Sequence, residues 1–144
     1  MENAGYSYCF DGGNTNGPTV GINDRDSDGS YSNCATVGKI GFDCTGLTLY
    51  AVYRGTDKVL SHDSHQPYSA SGQMIGSESA LQPGDVVYFD YNTNNGLSSI
   101  DHAGIYVGNG NVLSAASEKY GIVTHSIAWY ESGGLHFVGG VRFW

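Results

Sequence analysis

Phe42-Asp43-Cys44-Thr45-Gly46-Leu47-Thr48-Leu49-Tyr50 is the stretch whose reading decides the fold, because it sets a cysteine where a helix begins. From Cys44 onward, Leu47, Tyr50, Ala51 and Tyr53 recur at helical spacing, with Arg54 in the last turn and Gly55 placed to end the segment. Asp43 is a natural N-cap. A thiol in the first turn faces unpaired backbone N–H groups and the positive end of the helix dipole, which favour the thiolate, the nucleophilic form. Taken alone, a cysteine in this position is as readily an inert core residue.

A base is available downstream. Asp101-His102-Ala103-Gly104-Ile105-Tyr106-Val107 places a histidine at the entrance of a β-branched and aromatic run that turns back at Gly108-Asn109-Gly110. A cysteine at a helix start and a histidine on a neighbouring strand can meet in space. The imidazole then takes the thiol proton and later returns it to a leaving amine.

Three ordered blocks carry a resemblance: Asp43-Cys44-Thr45-Gly46-Leu47, Leu81-Gln82-Pro83-Gly84-Asp85-Val86-Val87-Tyr88-Phe89, and His102-Ala103-Gly104-Ile105-Tyr106-Val107-Gly108-Asn109-Gly110. In that order and at those separations they resemble the NlpC family of papain-like cell-wall cysteine peptidases. The resemblance implies one domain over 1–144, with residues 14–40 as an insertion. It implies an α+β fold in which a central antiparallel sheet of about five strands backs one helix carrying Cys44 at its N-terminus. The strands are expected at Val86–Phe89, His102–Val107, Val112–Ala115, Gly121–Ile127 and Phe137–Phe143.

The same resemblance distributes roles. Cys44 is the nucleophile and His102 the base. The opening block Gly5-Tyr6-Ser7-Tyr8-Cys9-Phe10-Asp11-Gly12-Gly13 puts Tyr8 on the family's active-site tyrosine, a donor to the oxyanion beside the Cys44 N–H, with Tyr6 as the rival. Family members usually hold a third polar residue twelve positions after the histidine. Here that position is Ser114, a neutral group; His125 on the next strand, or a dyad without a third member, are the other readings. Asp43, with Ser61 and Gln66 from the polar interval after the helix, is assigned to the substrate-binding surface. His62 and His65 lack a third metal ligand in the sequence, and the chemistry requires no cofactor.

Charged residues are only 14% of the chain, while glycine numbers 22 and tyrosine 11, which suits short strands and many turns. No run approaches the ~20 apolar residues of a membrane span. The formal net charge of -8 argues against nucleic-acid binding and against loose adhesion to anionic wall polymers. Three cysteines are an odd number. A Cys9–Cys34 disulfide leaves Cys44 as the free thiol of a secreted enzyme; three reduced thiols would instead mark a cytosolic protein. Asp24, Asp26 and Asp28, followed by Gly29, have the alternation of a calcium loop. Ala35, however, stands where a bidentate glutamate is needed, so a solvated acidic turn is the plainer reading.

The function that the resemblance implies is a peptidoglycan endopeptidase cutting stem-peptide amide bonds of the D-glutamyl-diaminopimelate type. Met1-Glu2-Asn3-Ala4-Gly5 lacks the regions of a signal peptide. This suggests a piece of a longer exported polypeptide acting at the periplasm or wall, for instance a toxin with a cognate immunity protein. The alternatives are an N-acetylmuramoyl-L-alanine amidase, a protein deamidase or transglutaminase sharing the thioester intermediate, and a non-catalytic wall-binding module.

Overall fold

The computed structural model describes residues 6–25, 31–117 and 119–144. Its centre is a six-stranded sheet in which every neighbouring pair is antiparallel. Before it in the chain come β1 (Ser7–Tyr8), β2 (Asp24–Arg25), β3 (Tyr31–Ser32), the short helix α1 (Cys34–Val37) and β4 (Gly41–Phe42). Helix α2 (Cys44–Thr56) follows, and then the sheet strands β5 (Gln73–Ile75), β6 (Val86–Asp90), β7 (His102–Gly108), β8 (Asn111–Ser117) and β9 (Gly121–Ser126). Helix α3 (Ile127–Ser132) and β10 (His136–Arg142) complete the chain, and the order across the sheet is β5-β10-β6-β7-β8-β9.

The period of two along β6 explains the layering. Val86 and Tyr88 belong to a core with Leu49 and Val52 of α2, Ile100, Ala103, Val141 and Phe143. Val87 and Phe89 point the other way, into a core with Tyr106, Val112, and Ile127 and Tyr130 of α3. Both faces are covered, so β6 is buried along its whole length and reads in sequence as an unbroken apolar run. The turn before it is fixed by Asp85, which is fully buried and paired with Arg142 through two 2.8 Å contacts, joining the start of β6 to the end of β10.

Five strands expected from the sequence are present, each within about two residues of its expected bounds. The sixth, β5, is a three-residue edge strand with polar and exposed positions, too short to show a period. Helix α2 does not stop at Gly55. It runs to Thr56 and is closed by Asp57 in the left-handed conformation at φ 63, whose N–H returns to Tyr53 O.

The segment 14–40 is tied to the rest of the chain at both ends. Thr19 exchanges backbone hydrogen bonds with Gly41, and Ile22 N–H reaches Phe10 O. A Cys9–Cys34 disulfide joins it to the β1 region, leaving Cys44 as the free thiol. Asp24 lies on a strand paired with β3 rather than in a loop entered from a helix, as a helix–loop–helix calcium site would require. Asp26 and Asp28 lie outside the described residues.

Candidate active site

Asp43 starts the site. In an extended conformation it caps α2, its Oδ1 accepting from Gly46 N–H at 2.8 Å. The glycine is required by close approach: a Cβ at position 46 would lie 1.9 Å from Gly12 O and 3.0 Å from His62 Nε2. Gly12 belongs to the loop after β1, which pairs in parallel with β4 so that Tyr8 faces Phe42, two residues before the thiol. The first turn of α2 is thus clamped between the N-terminal loop and the polar segment after the helix.

Cys44 keeps part of its surface open to solvent. The amides of Ala103, Thr45 and Cys44 itself hydrogen-bond its sulfur and favour the thiolate. They are outweighed. Burial of the sulfur and the negative charge of Asp43 push the thiol up to about 12, so the resting cysteine keeps its proton. The helix start alone, read from sequence, predicts the opposite direction; it omits the desolvation that only the folded chain imposes.

The Ala103 amide belongs to the residue after His102, so α2 and β7 bring the Cys44 sulfur to the backbone beside His102. His102 is 6% exposed, and its ring lies between Phe89 and Tyr130, with centroids 6.0 and 5.2 Å away. Burial alone holds the imidazole down to about 4, well below its ordinary 6.5. Both partners are therefore neutral at pH 7.

Ser114 meets His102. Its Oγ lies 3.1 Å from Nε2, so Ser114 engages that nitrogen of the imidazole and not Nδ1. The serine is fully buried and also bonds the Tyr130 hydroxyl. Tyr130, on α3, therefore extends the chain of hydroxyls behind the imidazole. His125 does not enter this network among the described contacts; it stacks on Trp129 at 3.8 Å. Tyr130 carried no signal in the sequence, because a six-residue helix has too few turns to show a period.

Tyr8 is buried at 9% exposure among Phe42, Leu47, Ala115 and Ile122. Tyr6 packs its ring edge-on against Phe42.

Two assignments to the substrate surface change. Gln66 is fully buried, not exposed. Its Oε1 accepts from the hydroxyls of Thr48 and Tyr88, and its Nε2 donates to the carbonyls of Thr45 and Ser61, each at 2.9 Å. All four sites of the amide are used in locking α2 to β6 and to the following loop. The Asp43 carboxylate is likewise engaged: besides the cap, Oδ1 meets His62 Nε2 at 2.6 Å and Oδ2 accepts from Asp11 N–H at 3.2 Å. Ser61 remains partly exposed, with its N–H held by Ser69 Oγ.

His62 and His65 do not act together. His65 is largely exposed beside Asp63, while His62 joins Asp43 and Asp11 in a cluster whose ligand atoms lie within 4.8 Å of one another. Burial disfavours the His62 imidazolium. The Asp43 hydrogen bond and the charges of Asp43, Asp11 and Asp63 outweigh that and raise its pKa above the ordinary 6.5. A divalent cation is compatible with this donor set, and a proton taken up by His62 places positive charge at the same point.

The NlpC/P60 family profile matches residues 6–133. The chain belongs to the NlpC/P60 family. It is 34% identical over 115 residues to the peptidoglycan endopeptidase RipA of Mycolicibacterium smegmatis, covering 80% of this chain and 19% of that protein. It is 40% identical over 90 residues to the probable endopeptidase p60 of Listeria seeligeri, covering 61% of this chain and 16% of that one. The chain thus spans about a fifth or less of the length of these relatives. Among solved structures, a hypothetical invasion protein of Mycobacterium tuberculosis superposes with a TM-score of 0.69 at 31% identity, over 96% of this chain and 55% of that one. No helix among the described residues is long and apolar enough to cross a membrane.

Proposed function

We propose that the chain is the catalytic domain of a peptidoglycan hydrolase, a cysteine endopeptidase that cuts stem-peptide amide bonds of the D-glutamyl-diaminopimelate type. The observation that carries the proposal is the meeting of a partly open Cys44 with the backbone beside His102, while Ser114 engages the far nitrogen of the imidazole. The name of the RipA relative, a peptidoglycan endopeptidase, supports peptidoglycan as the substrate, and that of p60 supports an endopeptidase.

The resting proton distribution dictates the first step. With thiol and imidazole both neutral, the sulfur is not a standing thiolate, so proton transfer from Cys44 to His102 Nδ1 accompanies formation of the S–C bond. Nε2–H donates to Ser114 Oγ throughout, which keeps Nδ1 as the acceptor. The oxyanion is taken by the Cys44 N–H and the Tyr8 hydroxyl. His102 returns its proton to the leaving amine, and then activates water to hydrolyse the thioester.

Purified sacculi incubated with the protein should release soluble peptides with new N-terminal diaminopimelate, and Cys44→Ala should release none. Fragments ending in intact lactoyl-alanine would support the endopeptidase, whereas loss of the muramoyl-alanine bond would replace it with the amidase. The finer proposal is that the domain acts as a toxin at the wall of a rival cell, paired with an immunity protein. The net charge of -8 supports delivery by another module, since it disfavours adhesion to anionic polymers.

A further inference from the structure

The loop between β6 and β7, residues 90–101, holds a buried carboxylate that the proposed mechanism does not use. Asp90 closes β6 and is 4% exposed. Its Oδ1 accepts from Asn92 N–H at 2.9 Å, while Oδ2 has no donor among the described groups. A buried anionic oxygen without a partner carries the full cost of its desolvation, so it calls for positive charge. What faces it is a second acid. The ladder pairs Phe89 with His102, so Asp90 and Asp101 meet just beyond its last rung. Asp101 is fixed there by its own N–H to Phe89 O at 2.9 Å and by Tyr91 N–H to its Oδ2 at 3.0 Å. Burial, the hydrogen bond with the Asp90 carboxyl and the Asp90 charge raise Asp101 above the ordinary carboxylate value. A shared proton relieves such a pair, and a metal cation does so with more charge.

The sequence of the loop bears on which cation. Asp90-Tyr91-Asn92-Thr93-Asn94-Asn95-Gly96-Leu97-Ser98-Ser99-Ile100-Asp101 sets oxygen-bearing side chains at its first, third, fifth, ninth and twelfth positions, the spacing at which a calcium loop of this length presents its ligands. It departs from that pattern in two places: the twelfth residue is the shorter Asp101 rather than a glutamate, and the glycine, Gly96 at φ 53, stands seventh rather than sixth. Two paired strands flank the loop instead of two helices, and their ladder brings the first and twelfth positions together. Asp101, Asn92, Asn94 and Ser98 are exposed, so an ion can reach the pair from solvent and the neutral oxygens can turn towards it without disturbing the core. Every donor is an oxygen, which selects a hard cation. An irregular, flexible set suits calcium better than magnesium, which demands a near-ideal octahedron.

We propose that the loop from Asp90 to Asp101 is a calcium site, with Asp90 Oδ2 and the Asp101 carboxylate as its charged ligands and Asn92, Asn94 and solvent as its neutral ones. Two carboxylates place it in the weak class of such loops, with Kd on the order of 0.1–1 mM.

Thermal unfolding of the chelator-treated protein at constant ionic strength is the first test. Calcium at about 10 mM should raise Tm by about 4 °C or more, and magnesium by about 1 °C or less. Asp90→Asn should abolish the calcium shift. Its amide can donate to Asp101, so in chelator the variant should melt no lower than wild type. Asp24→Asn and Asp11→Asn, in the other two acidic groups of the chain, should keep the full shift. In the second test the backbone amide resonances of the unsubstituted protein are followed as calcium is added, and those of Tyr91, Asn92 and Gly96 should move furthest. No Tm shift, an equal shift from magnesium, a shift that survives Asp90→Asn, or resonances of residues 11–25 that move further than those of the loop each overturn the proposal. Neither test involves cleavage of sacculi, so failure here leaves the hydrolase reading untouched, and failure of that reading leaves the site.

Discussion

Acidification tests the electrostatic account of His102 directly. In the unfolded chain the imidazole takes a proton near its ordinary value of 6.5, whereas in the folded chain burial delays this to about 4. The unfolded state therefore binds more protons throughout that interval, so the contribution is present above pH 6.5 and lost as pH falls towards 4. At about 1.4 kcal/mol for each pH unit, the interval removes about 3 kcal/mol between pH 7.5 and pH 4. His102→Gln is the control, since glutamine offers Ser114 an N–H but takes up no proton. Urea unfolding of both proteins across this range should give stability curves that converge on acidification, wild type losing about 3 kcal/mol more than the variant. The same burial extends the acid side of the kcat/KM profile of the free enzyme well below pH 6.5. Curves that run parallel within about 0.5 kcal/mol, or an activity profile that falls at 6.5, would refute the claim that burial holds the imidazole neutral.

Two further substitutions discriminate roles within the site. Ser114→Ala removes the partner of Nε2 and of the Tyr130 hydroxyl, both buried, and should lower kcat about 10- to 100-fold, in keeping with roughly 1–3 kcal/mol for orphaned buried groups. His125→Ala should change kcat less than about twofold, a comparison that also decides between the two candidates for the third residue. Gln66→Leu keeps the volume but leaves two carbonyls and the Tyr88 hydroxyl without their partner; denaturant unfolding should show a loss of at least about 3 kcal/mol. A surface residue that only touches substrate would raise KM and leave stability unchanged.

What could be read from sequence was what neighbours along the chain decide. The Asp43 cap needs only Gly46 three residues on, and the strands β6 to β9 declare themselves by β-branched runs and by Gly108-Asn109-Gly110, all three at positive φ. That Ser114 lies beside His102 was legible because a strand-turn-strand unit of fixed length returns it there. Gln66 was misread for the converse reason. Its neighbours Ser64, His65 and Tyr68 are polar or exposed, and nothing local shows that four partners from three other parts of the chain close around it.

The Cys44 ionisation failed for the same reason and with larger consequences. Helix position and three amides pull towards the thiolate, and each belongs to the local segment or to one strand contact. Burial and the Asp43 charge push harder towards the thiol, and Asp43 is there because the helix requires a cap. His62 then bears on the outcome. While its imidazolium faces Asp43 at 2.6 Å, it offsets part of the negative charge that the sulfur feels; losing that proton exposes the thiol to the full carboxylate. The residue that starts the catalytic helix thus opposes ionisation of the first side chain on it. In the mechanism proposed above, attack therefore depends on His102 accepting the proton as the bond forms, rather than on a thiolate prepared in advance.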